Sequence, residues 1–528
     1  MTTPADLQAA AARLADPAAD PERLRADAGD LLAAALQVCE RYGWDAAEVA
    51  AARRPRPPAA AAVCALPRQR VAVCTGSFDP PTRFHRTLAE RLRAGGFGEV
   101  VIRPDGPRAD HPEAEHAASI HRAVMTDLAF KGVSGVTVDL TDLDRRKFTT
   151  HRALERKYGA CGDVWHVVSD EFVAHGRGGE SVVQTRWKGG PRMWAGSQFV
   201  VVHPSASPPD PADLPPTARL LPLDGNVATA DLRMMIANGG PGAADDLVPP
   251  AVGEYIRRHG LFTADVPPRE IRVTLDRPRL KIVTGPQPEA AARANPYRHL
   301  ESADPDLILV LGGDGTMLHA IREHWRLRLP FLGLNAGHLG HLMNERLPAD
   351  LTGAELVLYR MPLLRVDTVA EDGAKARGLA FNDAWVERDS GQGAWLRVDV
   401  NGQERVSKVV ADGLLVAMPS GSAAYARAMG ATPVPLNSPV VTLAGSNVFS
   451  PRFWKAMALP DHTVIRMTSV GNPAKRPVRC FIDGLPLGRV RSMEARVSPV
   501  AAVEVAFTPE FDLSAKLIRS MFPPDDAA

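Results

Sequence analysis

Two short stretches hold residues placed for phosphate chemistry. In Gly76-Ser-Phe-Asp-Pro-Pro-Thr-Arg-Phe-His85 the imidazole of His85 follows the hydroxyl of Thr82 by three positions. On a helix that spacing puts both side chains on one face. Such a pair can donate hydrogen bonds to a phosphate while negative charge develops on it. In Gly312-Gly-Asp-Gly-Thr316 a carboxylate, Asp314, stands among three glycines. With nothing bulky beside it, it can take a proton from an attacking hydroxyl or engage magnesium through water.

Both stretches need a scaffold, and the flanking sequence supplies one. Each follows an apolar run, Val71-Ala-Val-Cys74 or Leu307-Ile-Leu-Val-Leu311, and each leads into a helical pattern. A strand, a small-residue turn and a helix start aim backbone N–H groups and the positive end of the helix at an anion. From Val71 to Phe262, strand candidates at 71–74, 99–103, 136–140, 164–168 and 199–203 alternate with helix candidates at 85–94, 117–130, 149–158 and 230–238. This alternation predicts a parallel, doubly wound sheet with ligands at the carboxyl ends of its strands. The proline-rich 205–216 stretch reads as a loop. Residues 270–345 alternate again. From about Leu363 to Val505 the pattern changes to short strands at 365–369, 395–400, 414–417, 464–467, 478–482 and 503–507, as in an all-β unit. The expected organisation is a helical extension at 1–52, a linker at 53–68, an α/β domain at 69–265 and a second domain at 268–528. The second domain divides into an α/β lobe at 268–362, a β lobe at 363–505 and a tail at 506–528.

Composition narrows the class. The 528 residues are 45% hydrophobic and 23% charged, ordinary values for a globular protein with several cores. A formal net charge of +1 gives no overall field to attract nucleic acid. No apolar run reaches the roughly 18 residues a membrane helix needs, and the first residues lack a secretory pattern. The five cysteines (Cys39, Cys64, Cys74, Cys161, Cys480) are scattered without a CxxC pair. That spacing fits a cytoplasmic protein and offers no zinc site.

The first stretch resembles the HxGH motif of the nucleotidylyltransferase superfamily, in the TxxH form of the nicotinamide mononucleotide adenylyltransferases. Further segments extend the resemblance: His121-Arg122, Thr149-Thr-His-Arg-Ala-Leu154, Trp165-His-Val-Val-Ser-Asp170, Thr229-Ala-Asp-Leu-Arg233 and Leu247 to Gly260. The resemblance implies an N-terminal Rossmann-like nucleotidylyltransferase domain. It implies that His85 is catalytic, and that Gly76, Ser77, Phe78, Asp79, Thr82, Arg122, Asp170, Thr229 and Arg233 bind nucleotide. Trp187, with Trp194 and Phe148 as alternatives, is a candidate for stacking on the nicotinamide ring.

The second stretch is shared by diacylglycerol, sphingosine and NAD kinases, and downstream segments choose among them. Gly333-Leu-Asn-Ala-Gly337 with Leu339-Gly340, Asn382-Asp383, Asp412-Gly-Leu-Leu-Val416, Pro419-Ser-Gly-Ser-Ala-Ala-Tyr425 and Phe481-Ile-Asp-Gly484 resemble NAD kinase. That family implies an α/β lobe followed by a β-sandwich lobe, with Asp314 as general base. It implies nucleotide contacts from Gly312, Gly313, Gly315, Thr316, Asn335, Gly337, Asn382, Asp383, Asp412, Ser420, Ser422, Tyr425 and Asp483. Ala423 stands where the family has threonine, and His341 where phenylalanine is common. Together the two resemblances imply a bifunctional enzyme that makes NAD from nicotinamide mononucleotide and ATP and then phosphorylates it to NADP. They imply Mg²⁺ carried with ATP rather than by protein ligands, a homo-oligomer, and no nucleic-acid or membrane partner. The alternative is an adenylyltransferase, selective for the amide or the acid (nicotinate) mononucleotide, whose C-terminal half only senses NAD or NADP.

Overall fold

The apolar run at Val71–Cys74 lies at the centre of a six-stranded parallel sheet, buried because helices cover both of its faces. The computed structural model describes residues 69–107, 116–263, 271–337 and 340–521. The expected extension at 1–52 and linker at 53–68 lie outside the described residues, as does Leu339. The strands are β1 (Arg70–Gly76), β2 (Glu99–Pro104), β3 (Val136–Val138), β4 (Asp163–Ser169), β5 (Gln198–His203) and β6 (Ala218–Pro222). They run in the order β3-β2-β1-β4-β5-β6. The strand order reverses between β1 and β4, which makes their carboxyl ends the place where a ligand fits. The principal helices here are α1 (Arg83–Ala94), α2 (Ser119–Phe130), α3 (His151–Tyr158), α4 (Thr229–Gly239) and α5 (Pro250–His259). The strand expected at 136–140 stops at Val138, because Thr141–Arg145 turns into a short helix. β6 follows the proline-rich loop; as an edge strand with little buried surface it carries no apolar pattern.

The second half begins with β7 (Ile271–Thr274), β8 (Leu280–Thr284), β9 (Leu307–Gly312), α6 (Asp314–His324) and β10 (Phe331–Asn335). β11 (Glu355–Val369) and β12 (Lys375–Ala380) follow. Next come β13 (Asp383–Arg388), β14 (Ala394–Val400), β15 (Gln403–Ala411), β16 (Gly413–Ala417), β17 (Val440–Ser446), β18 (Met457–Pro460), β19 (Ile465–Ser469), β20 (Val478–Ile482), β21 (Leu485–Arg489), β22 (Ser492–Phe507) and the helix α7 (Leu513–Met521). One ten-stranded sheet contains β8, β9 and β10 together with β11, β14, β19 and β22. A six-stranded antiparallel sheet, β18-β17-β16-β13-β20-β21, packs against it. Their shared core joins Leu364, Leu396 and Ile465 to Ala384, Leu414 and Cys480.

The expected lobe limits at 362/363 and 505/506 therefore fall inside strands. β11 and β22 pair along most of their length, 357–362 with 502–507 and 364–369 with 492–497, with a register shift between Pro362 and Leu364. β22 also joins β10 in parallel at Val505 and Ala506. A long strand with a proline bulge reads in sequence as two short ones, because the proline removes a ladder donor.

The described residues from 69 onward form one compact unit, and charged pairs tie its two α/β parts together. Ala123 and Leu143 share a small core with Val500. The Asp127 carboxylate accepts from Arg326 at 2.7 Å and Arg328 at 2.9 Å. Asp144 pairs with Arg365 at 2.5 Å and Arg377 at 3.1 Å. Glu504 meets His259 at 2.7 Å and Arg258 at 3.3 Å. The Arg328 guanidinium is almost wholly buried and also donates to Val500 O. Asp127→Ala would strand that charge without its counter-ion, a loss of roughly 3–5 kcal/mol. We expect a clear drop in the urea midpoint, larger than that of Glu90→Ala, which breaks only the exposed Arg86–Glu90 pair on α1.

Candidate functional site

The carboxyl ends of β1 and β4 open into a cavity of about 610 Å³. Nine of the eleven residues expected in the first site line it: Gly76, Ser77, Phe78, His85, Arg122, Asp170, Trp187, Thr229 and Arg233. The other two, Asp79 and Thr82, are buried beneath. Thr82 caps α1. Its backbone N–H donates to His85 Nδ1 at 3.0 Å, and its hydroxyl lies 2.8 Å from the same nitrogen. With Nδ1 accepting, the neutral ring carries its proton on Nε2. Although part of His85 opens to the cavity, burial of the ring pushes its pKa down to about 4. The side chain is thus a neutral N–H donor near pH 7 rather than a cation.

Around it the backbone is held by charge. Arg122 donates to Ser77 O from Nε at 2.9 Å and Nη2 at 2.6 Å, and to Asp105 O at 2.9 Å. Arg233 donates to Asp79 O at 2.9 Å. The buried Asp79 carboxylate accepts from Ala117 N and faces His116, both at 3.1 Å. The hydroxyls of Ser77 and Thr229 meet at 3.2 Å. Trp187 does line the cavity, with the His151 ring stacked on one face at 3.3 Å between centroids. Trp194 and Phe148 are not among the lining residues. His116, His151, His203, Asp224 and Asn226 also line the cavity. His203 ends β5, and Asp224 and Asn226 follow β6; no local motif ties any of the three to His85.

The second site is built on adjacent strand ends. β9 and β10 pair with Asn335 beside Gly312, and Ala336 N donates to Gly312 O at 2.8 Å. Gly312 has φ +156°, and a Cβ there would meet Thr316 Oγ1 at 2.3 Å, so the turn itself demands glycine. Gly313 and Gly315 differ: among the described residues nothing lies within 4 Å of a Cβ at either. Packing does not explain these two glycines, and each leaves open space beside the backbone. Asp314 starts α6 and is held from the opposite side. Its Oδ2 accepts from His341 N at 2.8 Å and its Oδ1 from Leu342 N at 2.9 Å.

Asn382, Asp383, Ser420 and Asp483 form an adjoining knot. Asp483 accepts from the N–H groups of Phe381, Asn382 and Asp383 at 2.8–3.1 Å. Ser420 Oγ donates to Phe381 O at 2.6 Å. A Cβ at Gly421 would sit 2.4 Å from Asn382 O, which fixes a glycine there. His341 and Ser420 line one small cavity, bringing the Asp314 loop to this knot. Four expected contacts are placed differently. Asp483 spends both carboxylate oxygens on the backbone, so it clamps the 381–383 turn. Ser422 is fully buried and donates to Pro419 O at 2.7 Å, so it shapes the loop. Asp412 and Tyr425 lie apart from Asp314, in a cleft of about 320 Å³ shared with Trp385, Glu387 and Arg479. There Arg388 and Asn447 hold the Asp412 carboxylate at 2.6 and 2.7 Å.

Burial, with Asp483 beside it, pushes Asp383 up to about 7. Burial raises Asp483 as well, against the opposing pull of its three N–H donors. An acid whose pKa is higher folded than unfolded holds its proton preferentially in the folded state. Stability from Asp383 therefore falls as pH rises from about 4 to about 7. Asp383→Asn is expected to flatten that fall, read as a smaller difference between urea midpoints at the two ends of the window. Among the described residues no three His, Cys, Asp or Glu side chains converge as a metal site. No helix among them is long and apolar enough to cross a membrane.

A family model described as the ATP-NAD kinase N-terminal domain matches residues 281–354. The NAD kinase of Brucella suis biovar 1 (strain 1330) is 33% identical over 230 residues, covering 43% of this chain and 88% of that protein. The NAD kinase of Xanthomonas campestris pv. campestris (strain 8004) is 34% identical over 255 residues, covering 46% and 98%. Among solved structures, yeast NADH kinase complexed with NADH aligns with a TM-score of 0.40 and 16% identity, over 48% of this chain and 89% of that one.

Proposed function

Since the chain belongs, through its C-terminal half, to the NAD kinase family, we propose that it phosphorylates the adenosine 2′-hydroxyl of NAD with ATP. We propose further that the first α/β domain makes that NAD from nicotinamide mononucleotide and ATP. In the kinase step Asp314 takes the proton of the attacking hydroxyl. Its place at the start of α6 beside Gly313 and Gly315, which face open space, supports that role: the N–H groups of His341 and Leu342 orient the carboxylate, and each oxygen keeps a second lone pair for the hydroxyl. In the adenylyl step the mononucleotide phosphate attacks the ATP α-phosphorus in line, and pyrophosphate leaves. The neutral Nε2–H of His85 stabilises the charge that develops. Magnesium arrives on the ATP phosphates and offsets the leaving group's charge.

The observation that carries the adenylyl reading is the single cavity at the sheet's switch point. It gathers His85, Arg122, Asp170 and the α4 pair Thr229 and Arg233 from four separate segments. Chromatography of products from purified full-length protein, mononucleotide, ATP and Mg²⁺ tests both halves. NADP from the mononucleotide supports both activities. NADP from added NAD, with no NAD from mononucleotide, leaves only the kinase. NAD alone leaves a kinase-like half that only senses nucleotide. Parallel reactions with the nicotinate mononucleotide fix the amide or acid preference.

A further inference from the structure

Another cavity, of about 430 Å³, has walls from both halves. The first half contributes Ala118–Ile120, at the start of α2, and Arg146. The second half contributes Arg360–Pro362 on β11, Pro419–Ser420 and the segment 436–440. Its chemistry is mixed. Ile120, Met361, Pro362 and Pro439 give an apolar surface. Arg146 and Arg360, one from each half, line it together with Asp461. Ser498 Oγ accepts from the N–H groups of Val500 and Ala501 at 3.3 and 3.0 Å, which leaves its O–H to donate. A flat apolar ring bearing a phosphate matches that combination.

From the geometry we propose that this cavity binds a phosphate-bearing nucleotide as an effector distinct from the occupants of the two clefts, and that its occupancy couples them. The coupling, though not the binding, rests on the two activities proposed above. Both connections are direct. The first turn of α2 walls this cavity with residues 118–120 and the first cleft with Arg122. Arg360 lies 3.0 Å from His121 Nε2, and the next residue, Arg122, grips Ser77 O. On the other side, Pro419–Ser420 also lines the small cavity that holds His341, whose N–H holds Asp314. A ligand that draws Arg146 and Arg360 together therefore bears on both supports, and any effect must be reciprocal. A passage for NAD between the clefts fits less well. The intervening wall is a hydrogen-bonded helical turn whose Arg122 makes three backbone contacts, and opening it would break them.

AMP is a suitable probe, because neither proposed reaction consumes or makes it. Calorimetric titration would use the full chain with both clefts saturated by NAD and a non-hydrolysable ATP analogue. The expected result is one further AMP site in the wild type, weakened about tenfold or more by Arg146→Glu and removed by Ser438→Trp, which fills the cavity. Both variants should keep basal NAD and NADP formation, while the change in either rate on adding AMP disappears. No further binding up to about 5 mM AMP, or binding unchanged in both variants, overturns the site. Binding without any effect on either rate overturns the coupling. A wild type that makes neither product defeats the proposed activities, and the calorimetry still decides the site.

Discussion

Asp314→Asn is expected to abolish NADP formation while NAD formation from mononucleotide continues. The loss should be on the order of 10²–10⁴-fold in kcat, the contribution of a positioned general base. Asparagine keeps the size and removes the basicity. It also loses one of the two backbone contacts, since its amide nitrogen must face the N–H of His341 or Leu342. That mismatch is worth about 1–3 kcal/mol, so the melting temperature should be followed alongside. A folded variant with unchanged NADP output would remove Asp314 from the chemistry. If NAD formation fell in parallel with NADP, the defect would lie in the shared fold.

His85→Ala is expected to lower NAD formation by about 10²–10³-fold, the effect of losing one preorganised donor to a developing oxyanion. Phosphorylation of added NAD should be untouched. His85 stays neutral above about pH 4, so the wild-type rate should show no inflection from this group between about pH 5.5 and 8.5. An inflection near pH 6.5 that vanished in the variant would mean that the imidazolium is the acting form. Thr82→Val should give a smaller loss, because the Thr82 N–H to Nδ1 contact survives while the hydroxyl does not.

The two strand–turn–helix units were legible because each depends on residues within ten positions of one another. β1, with Thr82 capping α1, and β9, with Asp314 opening α6, needed no long-range information. The apolar runs of β1, β4, β5 and β9 were equally plain, since central parallel strands bury both faces. The path of β11 and β22 through one sheet was not legible, because a proline bulge disguises a continuous strand. Nor was the contribution of His116, His151 and Asp224 to the first cavity, since nothing local links them to His85.

By itself the sequence determined the kinds of chemistry the chain can hold: a carboxylate bared by glycines, an imidazole paired with a hydroxyl, and their order along the chain. Those properties are set by side-chain type and spacing over a few bonds. Only the tertiary structure decided which groups are available to a ligand. It spent Asp483 on three backbone N–H groups, raised Asp383 by burial beside it, and set Asp412 and Tyr425 in a separate cleft. It also locked the two α/β parts together through Asp127, Asp144 and Glu504. Burial and charge pairing arise between residues up to hundreds of positions apart, so no local pattern can report them.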